Sequence, residues 1–280
     1  MNALEIRNLS KSYKGFTLNN VSLMLPSGCI MGLIGENGAG KSTTIKLILD
    51  MISRDGGTVT LLGRDNRDDL RLTKEDIGVV FDEVSFSECL TAKNVDTIMK
   101  NIYKNWHSEQ FADYLKKLSV PTDKRFKEFS RGMKMKLGIA VALSHDAKLL
   151  ILDEATSGLD PVVRDEVVGM FSEFTRDETH SVLISSHIVS DLEKICDYIA
   201  FMHKGELLLC EEKDILRERY GVIRCTKEQL ADIAPEAIKG RKVSPYGIEA
   251  MVERSMVPEE MEVSPMDIEQ LFIFMVKEAE

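Results

Sequence analysis

Eight consecutive residues, Gly35-Glu36-Asn37-Gly38-Ala39-Gly40-Lys41-Ser42, have the types and spacing that hold phosphate. Glycines let backbone N–H groups close around phosphate oxygens with no Cβ in the way. Lys41 would reach the outer phosphates as a point charge, and the Ser42 hydroxyl would complete the shell of a Mg²⁺ ion, which prefers oxygen ligands. The alternative is an ordinary glycine-rich turn. An apolar run before the loop (Ile30, Met31, Leu33, Ile34) and an amphipathic run after it supply the strand and helix that a phosphate loop requires. The positive end of that helix dipole would add to the attraction.

Carboxylates recur at the ends of apolar runs. Leu149-Leu150-Ile151-Leu152 reads as a buried parallel strand and leads straight into Asp153-Glu154. Two adjacent acids there are costly to bury unless compensated, and Mg²⁺ would compensate them. Asp153 suits the metal shell, and Glu154, projecting differently, suits a general base toward a water attacking a γ-phosphate. Ile77-Gly78-Val79-Val80-Phe81 ends at Asp82-Glu83, and Val182-Leu183-Ile184-Ser185 ends at Ser186-His187. Groups at the carboxyl ends of strands in an open α/β sheet lie over the ligand crevice, so Asp82 and His187 are further candidates. A lone histidine is more often structural; at this position it can also hydrogen-bond a phosphate.

The remaining elements must position these groups. Alternation at Leu4 and Ile6, and at Val21, Leu23 and Leu25, predicts antiparallel strands ahead of the phosphate-loop strand. Tyr13, in the polar segment between them, either stacks on a nucleobase or caps the edge of a small sheet. The helix after the loop carries Ile45, Ile48, Leu49 and Ile52 and is expected to run to the stop signal Asp55-Gly56-Gly57. A strand follows at 58–62, then a charge-dense link from Arg64 to Asp76 that reads as a solvated surface. From Ser85 to Lys127 the pattern is helical, with Trp106 as a packing anchor. A new helix begins at Glu128-Phe129-Ser130-Arg131-Gly132-Met133, and Leu137, Ala140, Val141 and Ser144 form its buried stripe. Ser130 there is either a plain cap or, with the Gly132 backbone, an anion site.

Composition narrows the classes. A net charge of −10 argues against a partner that is duplex nucleic acid, whose binding relies on clustered Lys and Arg. The five cysteines are scattered without paired ligand spacing, which fits a reducing cytosol better than a disulfide framework or zinc site. No apolar run reaches the roughly 18 residues of a membrane span, so membrane association is expected through a partner.

Taken in order, Tyr13, Gly35 to Ser42, Asp82, Ser130-Arg131-Gly132, Asp153-Glu154, Ser157-Gly158-Leu159-Asp160 and His187 resemble the nucleotide-binding subunit of an ATP-binding-cassette transporter. The likeness covers roughly residues 1–215. It implies a P-loop NTPase of the α/β class: a RecA-like core sheet, an antiparallel β subdomain and a helical subdomain at about 84–148, with the cassette spanning 1–219. It implies ATP and Mg²⁺ as cofactors. Tyr13 would stack on adenine, Gly35 to Thr43 would bind the phosphates, and Ser42, Asp82 and Asp153 would serve the metal. Lys41, Glu154 and His187 would act in hydrolysis. Ser130 and Gly132 would close over the ATP of an opposing subunit, so the implied partners are a second nucleotide-binding subunit, the same chain or a sister, and an integral membrane permease. The location implied is cytoplasmic, on the inner face of the cell membrane. Ser130 to Leu137 with Ser144 to Ala147 looks like the bacterial drug- and peptide-resistance exporter type, which would carry a drug, peptide or lipid-like substrate.

Two positions depart from the family pattern. Asp82 stands where glutamine is usual, so it would reach Mg²⁺ directly or through water. Arg131 adds bulk where glycine is common and offers a cation near an incoming γ-phosphate. A soluble cassette ATPase acting on ribosomes or DNA is the alternative, but the chain has one phosphate loop and no heptad run between Lys41 and Ser130. A guanine-nucleotide switch would need an Asn-Lys-x-Asp loop, which the sequence lacks. Residues 220–280 read as a small α+β extension: a strand at 220–225, a helix near Lys227, a strand pair around 242–252 and a final helix. That final helix is expected to be capped by Ser264 and to dock its stripe, Ile268, Leu271, Phe272, Met275 and Val276, on the extension itself or on a second subunit.

Overall fold

Alternation along the strand before the phosphate loop decides how the layers stack. In the computed structural model, which describes residues 1–68, 74–244, 247–258 and 260–279, that strand is β3 (Ile30–Gly35), preceded by the hairpin β1 (Asn2–Tyr13) and β2 (Phe16–Pro26). It leads through the loop to α1 (Lys41–Ile48). Next come β4 (Gly56–Leu61), β5 (Arg64–Asp65) and β6 (Ile77–Val80). Residues 69–73 of the charge-dense link lie outside the described residues. A helical segment follows: α2 (Ala92–Ile102), α3 (Ser108–Lys117) and α4 (Arg131–Ala142). The chain then returns to the sheet through β7 (Leu149–Asp153), α5 (Pro161–Phe174), β8 (Ser181–Ser186), α6 (Val189–Ile195), β9 (Tyr198–His203) and β10 (Glu206–Glu212).

The six-stranded sheet has the order β10-β9-β3-β8-β7-β6, with all pairs parallel except β9 with β10. Parallel pairing brings the loops after β3, β6, β7 and β8 to one edge, where the crevice of an open α/β sheet lies. Both faces are covered. Ile30, Ile34, Leu150, Leu152, Val182 and Ile184 face one apolar core, and Met31, Leu33, Leu149, Ile151 and Leu183 face the other, as the two-residue period of a strand requires. Helices α2 to α6 supply the first core. The second is closed by α1 and by the antiparallel sheet β2-β1-β4-β5.

The helix after the phosphate loop is shorter than its periodicity predicts. It ends at Ile48, and Asp50 takes a left-handed φ of 49°. The cause is a distant residue: buried Asn66 donates its amide to the carbonyls of Leu47 and Ile48, both at 2.9 Å, satisfying groups a helix end leaves open. Ile52 is therefore outside the helix.

Beyond the six-stranded sheet, α7 (Lys213–Arg219) leads to β11 (Tyr220–Cys225), α8 (Lys227–Ala231), β12 (Ile238–Ser244), β13 (Gly247–Glu253) and α9 (Ile268–Ala279). The strands form an antiparallel sheet in the order β11-β13-β12, whose hairpin begins earlier than expected, at Ile238; residues 245–246 at its turn lie outside the described residues. Ser264 does not cap α9. Its backbone pairs with Val222, and Asp267 takes the cap, accepting from Gln270 N at 2.7 Å. The helix lies against β12 and also against α6, where Ile268 N donates to Glu193 Oε1 at 3.1 Å, and Phe272 meets Phe201 of β9 with ring centroids 5.2 Å apart. Met266, Ile268, Leu271 and Phe274 thus join the same core as Leu150 and Val182.

Candidate nucleotide site

Backbone shape sets the loop first. Gly40 has φ 108° and Gly38 φ 83°, and a Cβ on Gly35 would lie 2.6 Å from the Met202 carbonyl oxygen, so β9 presses against the loop's start. Lys41 is buried, and its Nζ donates to Gly35 O at 2.6 Å and Glu36 O at 3.2 Å. A cavity of about 390 Å³ opens over the loop, walled by Glu36 to Gly38 and Gly40 to Thr43 and joined by Asp82, Glu154 and Phe16. The loop after β3 and those after β6 and β7 therefore meet, as their strand positions predict.

Across the same edge, Asp153 is buried and accepts from Ser185 Oγ at 2.6 Å. Glu154 holds φ 53°, uncommon for a residue with a Cβ and a strain of roughly 1–3 kcal/mol that surrounding contacts must sustain. Those contacts are present: its N–H faces Ser185 Oγ at 3.2 Å and Ser185 O at 3.1 Å. Its carboxylate lies between two candidates, with Oε1 3.5 Å from Lys41 Nζ and Oε2 2.7 Å from His187 Nδ1. The sequence reading gave Ser185 no role. The available signal was a hydroxyl ending an apolar strand beside a strand that ends in acid.

Ser42, Asp153 and Asp82 offer hard oxygen donors, which suit Mg²⁺. Among the described residues no group of three His, Cys, Asp or Glu side chains is arranged to hold a metal by itself. Mg²⁺ keeps water and phosphate oxygens in its shell and takes only one or two carboxylates from a protein.

The Ser130-Arg131-Gly132 turn lies at the N-terminus of α4. Ser130 Oγ accepts from Met133 N at 3.2 Å, so in the single chain it is a helix cap. Arg131 reaches back to Asp82 and forms an ion pair with it, and Asp82, Arg131 and Lys134 line a second cavity of about 420 Å³. Arg131 also packs beside Gly158, where an added Cβ would meet its Cδ at 3.4 Å. The Ser157 to Asp160 turn is followed by α5, capped by Asp160. Behind it, nearly buried Asp191 on α6 stands 3.7 Å from Arg164 Nε; burial pushes its carboxyl up, and Arg164 pulls it back.

Tyr13 ends β1 half exposed, with Lys11 Nζ 5.6 Å from its ring centroid. Phe16, its partner across the hairpin, is the aromatic residue that walls the cavity, and the sequence reading did not name it.

Residues 18–157 match the family model described as ABC transporter. The lantibiotic transport ATP-binding protein SrtF of Streptococcus pyogenes is 39% identical over 218 residues, covering 75% of this chain and 91% of that protein. The bacitracin transport ATP-binding protein BcrA of Enterococcus faecalis is 34% identical, covering 73% of this chain and 68% of its own. Among solved structures, the ATP binding subunit of an ABC transporter matches with a TM-score of 0.71 and 26% identity, covering 77% of this chain and 92% of that one.

Proposed function

The chain belongs to the ABC transporter family, as one of its ATP-binding subunits, and from that premise we propose that it hydrolyses ATP to drive export through a separate membrane permease. The observation that carries the proposal is the placement of Glu154 at the phosphate cavity, between Lys41 and His187. Glu154 takes a proton from water as its oxygen bonds to the γ-phosphorus and the bond to the ADP oxygen breaks. Lys41 and the loop N–H groups of Gly35 to Thr43 hold the phosphate oxygens. His187 contacts the γ-phosphate and orients Glu154. Mg²⁺, when bound, would offset the phosphate charge, held by Ser42 and Asp153 with Asp82 directly or through water. Tyr13, with Phe16 beside it, takes the adenine.

Ser130 and Gly132 close over the ATP of an opposing subunit, so triphosphate holds two chains together and its cleavage lets them part. No helix among the described residues is long and apolar enough to cross a membrane, and the chain sits at the inner face of the cell membrane by binding the permease. The relatives' names refer to lantibiotics and bacitracin, which favours a peptide antibiotic among the drug, peptide and lipid-like cargoes. The cassette ends near residue 219, and residues 220–280 are an extension.

Glu154→Gln tests this reading. It retains ATP binding, lowers turnover by about 10²- to 10⁴-fold and accumulates a nucleotide-bound pair of chains. Turnover equal to the parent protein removes Glu154 from the base role.

A further inference from the structure

His203, the last residue of β9, lies under the phosphate loop and belongs to none of the groups assigned above. It is 4% exposed, and neither ring nitrogen has a hydrogen-bond partner among the described residues. Buried polar groups are normally paired, and leaving one unpaired costs free energy in whichever state holds it so. Its Nδ1 stands 3.8 Å from Glu36 Oε2, just beyond hydrogen-bond range, which ends near ~3.2 Å. Glu36 is the second residue of the loop and walls the cavity, with its side chain well exposed.

The strand carrying His203 is fastened to that loop on both sides. Met202 O lies against Gly35, and Gly205 N, in the turn after His203, donates to Ala39 O at 3.0 Å. Glu36 therefore sits between two points of the loop fastened to β9 and its following turn, with its carboxylate near the His203 imidazole. A shift of the carboxylate by less than about 1 Å closes the pair. That carboxylate walls a space built for phosphate, where like charges repel.

We propose that His203 is a positioning residue of the nucleotide site: its imidazole hydrogen-bonds the Glu36 carboxylate when nucleotide fills the loop and holds that charge off the phosphates. A bond made when the loop is occupied stabilises the bound state selectively and adds to affinity. It acts equally on ATP and ADP. It does not touch the reacting atoms, so turnover at saturation is unaffected. The inference rests on the Gly35 to Thr43 loop being the nucleotide site.

The experiment is equilibrium binding of ATP and ADP, with KM and kcat, to the full chain and to His203→Met, His203→Gln, Glu36→Gln and the double variant that carries H203M together with E36Q. H203M raises Kd for both nucleotides about 3- to 10-fold, the range of one hydrogen bond to a partly exposed charged group, with kcat within about twofold. H203Q, which keeps a donor, recovers most of the loss. In the E36Q background, H203M leaves Kd where E36Q alone put it. Equal losses in both backgrounds, or a fall in kcat with Kd unmoved, overturn the proposal. Should H203M fail to fold, ¹⁵N-histidine spectra of the unsubstituted protein decide: the His203 Nδ1 signal moves on adding ADP and stays fixed in E36Q, and an unmoved signal in both overturns it. Lys41→Ala separates the two readings. Parent-level binding in K41A refutes the nucleotide site itself, whereas lost binding in K41A with no coupling between His203 and Glu36 refutes this inference alone.

Discussion

Arg131 pairs with Asp82 of its own chain, tying the turn at the start of α4 to the end of β6 across 49 positions of sequence. Both are positions that the resemblance marks as unusual, and their charges are complementary. While paired, Arg131 is held on its own chain, and Asp82 shares its charge with a guanidinium.

That relationship predicts the effect of Asp82→Asn. Made in the Glu154→Gln protein, it frees Arg131 for the opposing γ-phosphate and, because the amide oxygen that replaces the carboxylate can still accept from a Mg²⁺-bound water, lowers the ATP concentration for half-maximal pairing of chains by about two- to fivefold. The bound follows from an exposed ion pair being worth up to about 1 kcal/mol. Sedimentation across an ATP titration reads it. An unmoved midpoint would deny the pair any influence on closure.

A second prediction concerns acid. His145, buried under the Tyr103 ring at 4.0 Å, faces two carbonyls, Val141 O from Nδ1 at 3.1 Å and Ile77 O from Nε2 at 3.2 Å. A neutral imidazole donates to only one of them. Burial pulls its pKa down, and the two carbonyls only partly oppose this. The unfolded chain therefore takes up a proton near pH ~6.5 while the folded one does not, so stability falls as pH drops below that value, by at most about 1.4 kcal/mol per unit. The loss levels off once the folded ring protonates. Urea midpoints at pH ~7.5 and ~5.5, on either side of that value, should differ less in His145→Gln than in the parent, and equal differences would contradict the assignment.

Thiol chemistry gives a third. Cys89 is exposed, whereas burial pushes the Cys210 thiol up to about 11 and the fully buried Cys196 further still. Since the thiolate is the reactive form, iodoacetamide at about pH 8 labels Cys89 first, and Cys196 and Cys210 only in denaturant. Peptide mass spectrometry over a time course checks the order. Early labelling of Cys210 would mean that its strand opens in the native protein.

The fourth concerns the final helix. Leu271 is 1% exposed in the core that also holds Leu150 and Val182, so Leu271→Ala costs about 2–5 kcal/mol and lowers the stability of the cassette with that of the extension. Denaturation followed by far-ultraviolet dichroism and by Trp106 fluorescence should show one shifted transition. A separate early step seen only by dichroism would show that residues 220–279 unfold alone.

The amino-acid order determined the strands, their alternation and the chemical groups at their ends, because period-two burial and glycine, acid and hydroxyl placement are local properties that a linear chain displays. It also put the candidate phosphate and metal groups in the loops after β3, β6, β7 and β8, which the parallel sheet brings to one edge. What joins residues far apart in the chain was decided by tertiary structure: Asn66 ending α1, Ser185 supporting Asp153 and Glu154, Phe16 walling the cavity, Arg131 turned onto Asp82, and α9 laid on α6. No window of sequence contains both members of such a pair. Their energies depend on a distance and an orientation that exist only once the sheet has set its strand order.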